Sequence, residues 1–598
     1  MSIAALKKLT LCGLVKDKPR VLEDLREVGC LHLLPPEGDI ATAGDSVEQP
    51  EEVIKALRYL RDCPRKRRQV GKARDFDGAD IARQALRNQA AKREQSDRRD
   101  FLQHRIKELA PWGNFMLPEE LSARSLKFWF YIVPSGFQHR LPRDELIWRV
   151  VHREHGQLYI VVIAECEPPG HAMPVPRTHA GSVPLADLEA ELNGVSLALE
   201  DLEAERESLT RWIGLLQSAL AAVEDEAVLQ RALRSTSDAS PLFILRAWVP
   251  AHEISRLDAY AESRGLALGV ADPDPSDNPP TLLINPPMLE AGQSLVSFYQ
   301  LPQYGTWDPS VPVLFFFGLF FAVIISDAGY GMVLGLLVLL LWPSFGASPA
   351  GRSMRRLTVF LAGCAMIWGV LAGSYFGWSP PADSLAGRVR LLSVADYDTM
   401  MRLTIFIGVL HLGCANLARA WQLRRLGAVW VPLGWVVVMV GGYLWWLASE
   451  SAWLRTTAQC LLAGGVGLIL LFAGPTPVQR MGDLLRRLLA GLLEIAGNLS
   501  KLFGDVLSYL RLFALGLAGS SLAETFNTLA DSASRRLAGA GLFASGLILL
   551  AGHSLNLLLG LMSGVVHGLR LNFIEFYSWG HTGEGHAFRA FRKKEISQ

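Results

Sequence analysis

Cysteine is scarce in this chain of 598 residues. The seven present (Cys12, Cys30, Cys63, Cys166, Cys364, Cys414 and Cys460) form no CxxC pair. Three of them lie in apolar segments, so free buried thiols in a reducing compartment are expected, and not disulfides or a metal site. A phosphate loop is missing too: Gly71-Lys72 lacks the upstream glycine and the following Ser or Thr, which excludes nucleotide binding of that kind. His139, His152, His155, His171 and His179 have no metal-ligating spacing, and no catalytic constellation or cofactor motif is visible. Net charge is nearly absent, 59 basic against 58 acidic residues, so no nucleic-acid or acidic partner is implied. The opening MSIAALKKLTLCGLV has neither a long apolar core nor a cleavage site, so no secretory signal is expected.

What the second half lacks is charge. Residues 1–305 carry most of it and read as soluble and cytoplasmic, whereas VPVLFFFGLFFAVII, TVFLAGCAMIWGVLAG and GWVVVMVGGYLWWL make 306–598 membrane-embedded. Apolar spans are expected at 356–376, 402–418, 428–448, 457–474, 490–530 and 541–572. The run 311–342 is too long for one crossing and short for two, and SDAGYG interrupts it. We read it as a helical hairpin broken near Asp327, with Asp327 as its cap.

Loop charge sets the orientation. Arg352, Arg355 and Arg356 are unopposed in sequence, as are Arg419, Arg424 and Arg425. Arg480, Arg486 and Arg487 face only Asp483. The alternate loops are mixed: Asp383, Asp396 and Asp398 with Arg388 and Arg390, Glu450 with Arg455, Asp531 with Arg535 and Arg536. The positive-inside rule then puts the unopposed loops and the tail with Arg589, Arg592, Lys593 and Lys594 in the cytoplasm, giving about eight spans with both termini inside.

In the soluble half, KKLTLCGLV, KDKPRVLEDLREVG and CLHLLPP read strand, helix, strand, with Gly29 as the stop. PLFILRAWVPAHEISRLDAYAESRGLALGV repeats the pattern. Two polar helical arms, 48–108 and 185–236, the second with Leu192, Leu199, Leu202 and Leu209 at helical spacing, are expected to pair antiparallel. The β-rich KFWFYIVPSGF to QLYIVVIAECE forms a lobe between them. The expected fold is an α+β cytoplasmic dumbbell with a long antiparallel helical hairpin, followed by an α-helical polytopic membrane domain. A charged helical pair serving only as a spacer is the plainer alternative.

Two arginines stand inside apolar stretches, Arg511 in LSYLRLFALGLAGSS and Arg570 in LMSGVVHGLRLNFIEF. A charge there costs several kcal/mol facing lipid, and arginine does not neutralise itself by losing a proton, so each calls for an anionic partner or a wet path. His553, Asn556, Gly560, Ser563, His567 and Arg570 step by 3 or 4 along one helix face. Such a stripe fits a water-filled half-channel, while small and polar groups also join transmembrane helices. A second stripe, Glu494, Asn498, Lys501, Asp505 and Ser508, has an equally plain alternative, an i,i+4 pair between Lys501 and Asp505 on an interfacial helix. Arg511 lies about 100° round from that stripe, and Ala514, Ala518 and Ser521 continue its face with small residues. A salt bridge to Glu524 is the structural alternative for Arg511, though 13 residues put it about 140° away. For Glu575 and Tyr577 the plainer alternative is that they anchor the helix at the membrane interface.

NPPMLEAGQSLVSFYQLPQYGTWDPS, FFGLFFAVIISDAGYG, SYLRLFALGLAGSSLAE and HGLRLNFIEFYSWG occur in that order, and with the opening LKKLTLCGLVKDKPRVLEDLREVGCLHL they cover nearly the whole chain. This order closely resembles the membrane stator subunit of rotary V-type and A-type ATPases, called subunit a or subunit I. The resemblance implies a non-catalytic, ion-translocating subunit without cofactors. Its cytoplasmic arm would be held by peripheral stalks that reach the ATPase headpiece, and its membrane half would pack against a proteolipid rotor ring. The family's essential arginine maps onto Arg511 and its second, in LRLxxxE, onto Arg570, with Glu575 following. One departure is Gly560, where eukaryotic members place an acidic residue. The compact length is similar to prokaryotic members, which implies a plasma-membrane location. A secondary transporter with a cytoplasmic sensor domain would show a paired repeat in the spans, and we find none. A plain membrane tether would leave both arginines without purpose.

Overall fold

The structure is a computed structural model. It describes residues 2–35, 51–71, 73, 76–115, 126–140, 146–169, 173, 175–178, 183–274, 276–346, 348–381, 383–392, 396–424, 428–448, 451–474, 481–536, 540–581 and 583–593. Of the residues singled out above, Lys72, His171, His179, Arg425, Glu450, Arg480 and Lys594 lie outside this set. By contact the chain forms two units, residues 1–37 with 235–592 and residues 38–234 with 593–598.

In the first unit, the strand Leu6–Leu14 pairs antiparallel with Leu242–Pro250 on one side and Ala267–Ala271 on the other. His32–Leu33 and Ser237–Ala239 add to the outer edge of Leu242–Pro250. Leu9, Leu11, Phe243, Leu245 and Ala247 are fully buried, alternating with more exposed neighbours as a sheet with one covered face requires. Helices Lys18–Val28 and Ile254–Arg264 bury Val21, Leu22, Leu25, Leu257 and Ala261, and both stop at a left-handed glycine, Gly29 (φ 71°) and Gly265 (φ 65°). The two strand-helix-strand patterns of the sequence thus share one sheet. The tail after the last helix returns to it: Phe591 N donates to Leu31 O (2.6 Å) and Arg589 N to His32 Nδ1 (2.9 Å).

Among the described residues the same unit carries six helices long and apolar enough to cross a membrane, within 350–372, 397–423, 430–447, 452–472, 481–536 and 541–580. Two shorter apolar helices, Ser310–Ile325 and Ala328–Leu340, precede them. The break between these two is built by Asp327, only 3% exposed. Its carboxylate accepts from Tyr330 N (3.1 Å), Phe376 N (2.9 Å), Ser374 Oγ (2.7 Å) and Gly377 N (2.9 Å). It is the cap read from the sequence, and it also clamps the loop that follows helix Pro349–Ala372. Asp327→Ala leaves four donors without their acceptor, for a loss on the order of 3 kcal/mol or more. We expect a lower thermal midpoint for the detergent-solubilised protein; an unchanged midpoint would contradict this role.

Small residues set the packing of the membrane helices. A Cβ added at Gly564 or Gly568 of the last long helix would meet Phe321 (2.7 Å) or Phe317 (3.1 Å), and one at Gly560 would meet Ile325 Cδ1 at 3.0 Å. Three glycines at four-residue spacing therefore seat helix Ser310–Ile325. Arg356, unopposed in its own loop, pairs with Glu290 of helix Glu290–Tyr299.

In the second unit, helix Gly78–Leu109 lies antiparallel to helix Leu185–Leu209, joined by Arg98 Nε to Glu191 (2.8 Å), Lys92 to Glu203 (3.1 Å) and Asn88 Nδ2 to Leu202 O (2.9 Å). A buried clasp adds helix Glu51–Arg61. Tyr59 Oη donates to Asn88 Oδ1 (2.7 Å), and Arg206 lies 4.2 Å over the Tyr59 ring while donating to Tyr59 O (2.6 Å). The first arm is not the continuous helix expected over 48–108: Glu51–Arg61 ends just before Pro64, and the helix resumes at Gly78 with Asp77 as N-cap. The second arm continues through a tight turn at Thr210–Trp212 into Ile213–Arg234. Strands Lys127–Pro134, Gln157–Ala164 and Ile147–Glu154 form the β lobe, in that spatial order.

Candidate functional site: a charged seam between the last two long helices

Arg511 sits on helix Met481–Arg536, a single helix of 56 residues in place of the span expected at 490–530. At 1.5 Å per residue it is about 84 Å long, far more than a bilayer needs. Facing it is Gly541–Arg570, which runs into a π-helical turn, Leu571–Phe576, and then Tyr577–Gly580. The wider turn begins directly after Arg570 and re-aims the side chains that follow, as π-bulges at functional positions commonly do.

Antiparallel contacts stitch the two helices together. Arg511 Nη1 is 3.4 Å from His567 Nδ1. Asp505 Oδ2 accepts from Trp579 Nε1 (2.7 Å), and Lys501 Nζ donates to Ser578 O (3.1 Å) while standing 4.7 Å over the Trp579 ring. Among the described residues Lys501 and Asp505 form no ion pair, so the expected i,i+4 alternative gives way to contacts with the last helix, which both residues reach first. Glu494 is taken by Asn498 Nδ2 at 2.8 Å. Glu575, within the π turn, is 2% exposed, and Tyr577, just after it, 5%, so both side chains are buried within the protein. One Glu575 oxygen, Oε2, has no hydrogen-bond partner among the described residues, and Arg570, Asp505 and Ser508 are the polar groups acting on that carboxyl.

Arg511 has no carboxylate partner among the described residues. Glu524 is exposed, and 13 residues put it about 20 Å along the same helix, beyond a guanidinium's reach. Arg570 is exposed as well. Beside Arg511 the helix shows bare small side chains, Ala514, Ala518 and Ser521 all being exposed.

The other end of the stripe is spent on contacts between helices. His553 Nδ1 is 2.7 Å from Tyr330 Oη and its Nε2 is 3.0 Å from Asn527 Oδ1. Asn556 Nδ2 donates to Tyr330 Oη (2.9 Å) and Gly519 O (2.8 Å). Ser563, partly buried, makes no hydrogen bond among the described residues. Sequence reading missed Tyr330 as a partner here. It also missed the buried pair His411 Nδ1 and Tyr509 Oη (2.7 Å), with His411 stacked on Phe576 at 4.5 Å. A lone histidine in IFIGVLHLGCAN carries no signal of its own, and Tyr509 stands out in the sequence only as a neighbour of Arg511.

A multi-pass helical membrane protein with an uncompensated arginine on a long inner helix is the class this geometry defines. No protein-family model matches the chain. Among curated proteins it is 29% identical over 483 residues to the V-type ATP synthase subunit I of Chlamydia pneumoniae, covering 70% of each chain. It is 25% identical over 618 residues to the V-type ATP synthase subunit I of Borreliella burgdorferi, covering 99% of each. It is also 25% identical over 453 residues to the A-type ATP synthase subunit I of Methanocaldococcus jannaschii, covering 67% of this chain and 63% of that one. The resemblance read from the motifs therefore holds along the full length: the chain is a homologue of V-type and A-type ATP synthase subunit I.

Proposed function

We propose that this chain is the membrane stator subunit of a rotary V/A-type ATPase, where it forms the ion half-channels against a proteolipid ring. It would couple proton or sodium movement to ATP hydrolysis or synthesis without itself being catalytic. The observation that carries this reading is Arg511: a permanent cation on a transmembrane helix, with a histidine as its sole polar partner among the described residues and a bare alanine face beside it. A ring helix can approach that face closely. A carboxylate on it would be held ionised while opposite Arg511, because an opposite charge at low dielectric favours the charged form. Its ion leaves by one half-channel and another arrives by the second, while Arg511 blocks direct leakage between the two. His567, Arg570 and Glu575 line one route with Ser563, Asn556 and His553 beyond them; Glu494, Asp505 and Ser508 line the other.

In the same reading, residues 1–305 form the cytoplasmic stator arm and 306–598 the translocation domain. The eight spans, counting the short hairpin helices as two, leave both termini in the cytoplasm of a prokaryotic cell with the protein in its plasma membrane. The arm engages peripheral stalks, and through them the ATPase headpiece.

Single cysteines in an otherwise cysteine-free chain test the channel. At Ser563, His567 and Arg570 they should react with water-soluble thiol reagents in membranes, because labelling needs thiolate and thiolate needs water. Cysteines at Leu558 and Met562, exposed by 56% and 61% on the lipid-facing side, should not. Equal lack of reaction on both faces would make the stripe a helix-joining device.

A further inference from the structure

A cavity of about 300 Å³ opens beside the Lys501 end of the seam, where helices Tyr397–Leu423, Trp430–Leu447 and Ala452–Phe472 end or begin beside the long helix. Its lining includes Arg419, Trp435, Glu494, Asn498 and Lys501, with Asn416, Ser578 and Trp579 as its other polar residues. Two of these bring hydrogen-bond donors that nothing satisfies: Arg419 Nε and Trp435 Nε1 are buried and have no partner among the described residues. Trp435 is only 2% exposed, so no outer solvent reaches its N–H. Arg419 forms no ion pair among the described residues, and it lies close enough to Lys501 for the two cations to act on one another. The single carboxylate, Glu494, already accepts from Asn498. Arg487 packs against Gly474 in the cavity wall.

Unsatisfied donors and adjacent cations ask for an acceptor-rich anion, since buried donors left unpaired cost about 1–3 kcal/mol each. The cavity's position says which kind. It lies where apolar helices terminate, the ends at which a spanning helix meets headgroups, and Leu423, Val431 and Phe472 supply an apolar wall to the same space. The neighbouring helix ends carry Arg424, Arg486 and Arg487, the end of the bundle with the positive bias. We propose that this cavity binds the phosphate of an anionic phospholipid. Arg419 and Trp435 would donate to its oxygens, Lys501 would balance its charge, and the acyl chains would lie along the apolar wall. This site shares Glu494 with the second of the proposed half-channels, but the binding of a phosphate there does not depend on the chain's being a stator subunit.

Native mass spectrometry of the full-length protein, released from nanodiscs of phosphatidylcholine alone or with phosphatidylglycerol, reads the site directly. Wild type should retain phosphatidylglycerol through delipidation. Trp435→Phe, which keeps a ring but removes the N–H, and Arg419→Lys, which keeps the charge but removes Nε, should each lower retention about tenfold, the worth of one hydrogen bond to a charged group. Arg419→Gln should lower it further. Millimolar inorganic phosphate should leave the retained lipid in place. If phosphate instead displaces the lipid and remains bound in pure phosphatidylcholine nanodiscs, the anion site stands but its ligand is free phosphate, and the lipid assignment falls. Equal retention of phosphatidylglycerol by wild type, Trp435→Phe and Arg419→Gln would overturn the site altogether. Trp435→Phe decides the question even if the arginine variants fail to fold.

Discussion

Arg511→Gln should abolish ATP-coupled ion pumping in reconstituted vesicles while the subunit still inserts and assembles. The expectation rests on what Arg511 touches. Among the described residues its one hydrogen-bonding neighbour is His567 at 3.4 Å, and it shares no ion pair with any carboxylate there, so little of the described fold depends on its charge. A cation that the fold does not use, in a place where it costs several kcal/mol, is retained for a partner outside the chain. Arg511→Lys should fail largely as well, because a compact ammonium lacks the planar, strongly basic fork and cannot span the same geometry between His567 and a passing carboxylate. Near-normal coupled pumping by the glutamine variant would remove the basis of the assignment.

Leu202→Pro should uncouple the ATPase headpiece from ion flow, or release it, without altering passive ion conduction through the membrane half. Leu202 stands mid-helix in the antiparallel pair, and its carbonyl accepts from Asn88, which in turn holds Tyr59. A proline there removes a helix hydrogen bond and clashes with the preceding turn, costing about 3 kcal/mol or more. It also disturbs the clasp that ties three helices together. Retention of full coupling, measured as ATP-driven acidification per ATP hydrolysed, would make the arm a spacer and not a strut.

Features set by neighbouring residues are legible in the sequence, and features set by distant partners are not. The strand-helix-strand modules can be read because alternation, an early proline and a stop glycine all fall within a dozen residues, and Gly29 ends its helix as expected. The broken hairpin can be read because one charge and two glycines interrupt an apolar run, and Asp327 caps it. That the two modules share one sheet is fixed by pairing across more than two hundred residues, with Leu6 opposite Pro250. The first arm's break is legible too, and the expected continuous helix overlooks it: Pro64 and Gly71 fall in it, and Asp77 caps the helix that resumes.

At the site, the spacing that puts Asp505, Ser508 and Lys501 on one face is sound, and only their partners differ from expectation. A sequence stripe shows which residues are neighbours on a helix, whereas Trp579 and Ser578 arrive from a helix 70 residues further on. The π turn after Arg570 has no composition signal, and nothing in the sequence shows that Glu575 within it and Tyr577 after it are buried. His553 and Asn556 show the limit of a polar stripe as an indicator of water: both are engaged by Tyr330, a residue on the short hairpin that no periodicity links to them.

The central claim is that the alanine face beside Arg511 meets a proteolipid ring, and site-directed photo-crosslinking in native membranes tests it most directly. A photoreactive residue at Ala518, which is exposed on that face, should capture the proteolipid subunit in the assembled complex. One at Leu542, 84% exposed at the start of the last long helix, should serve as the background. Capture of proteolipid from Ala518 well above that background is the result expected. Assembly of the complex with no proteolipid captured from Ala514, Ala518 or Ser521 would contradict the account.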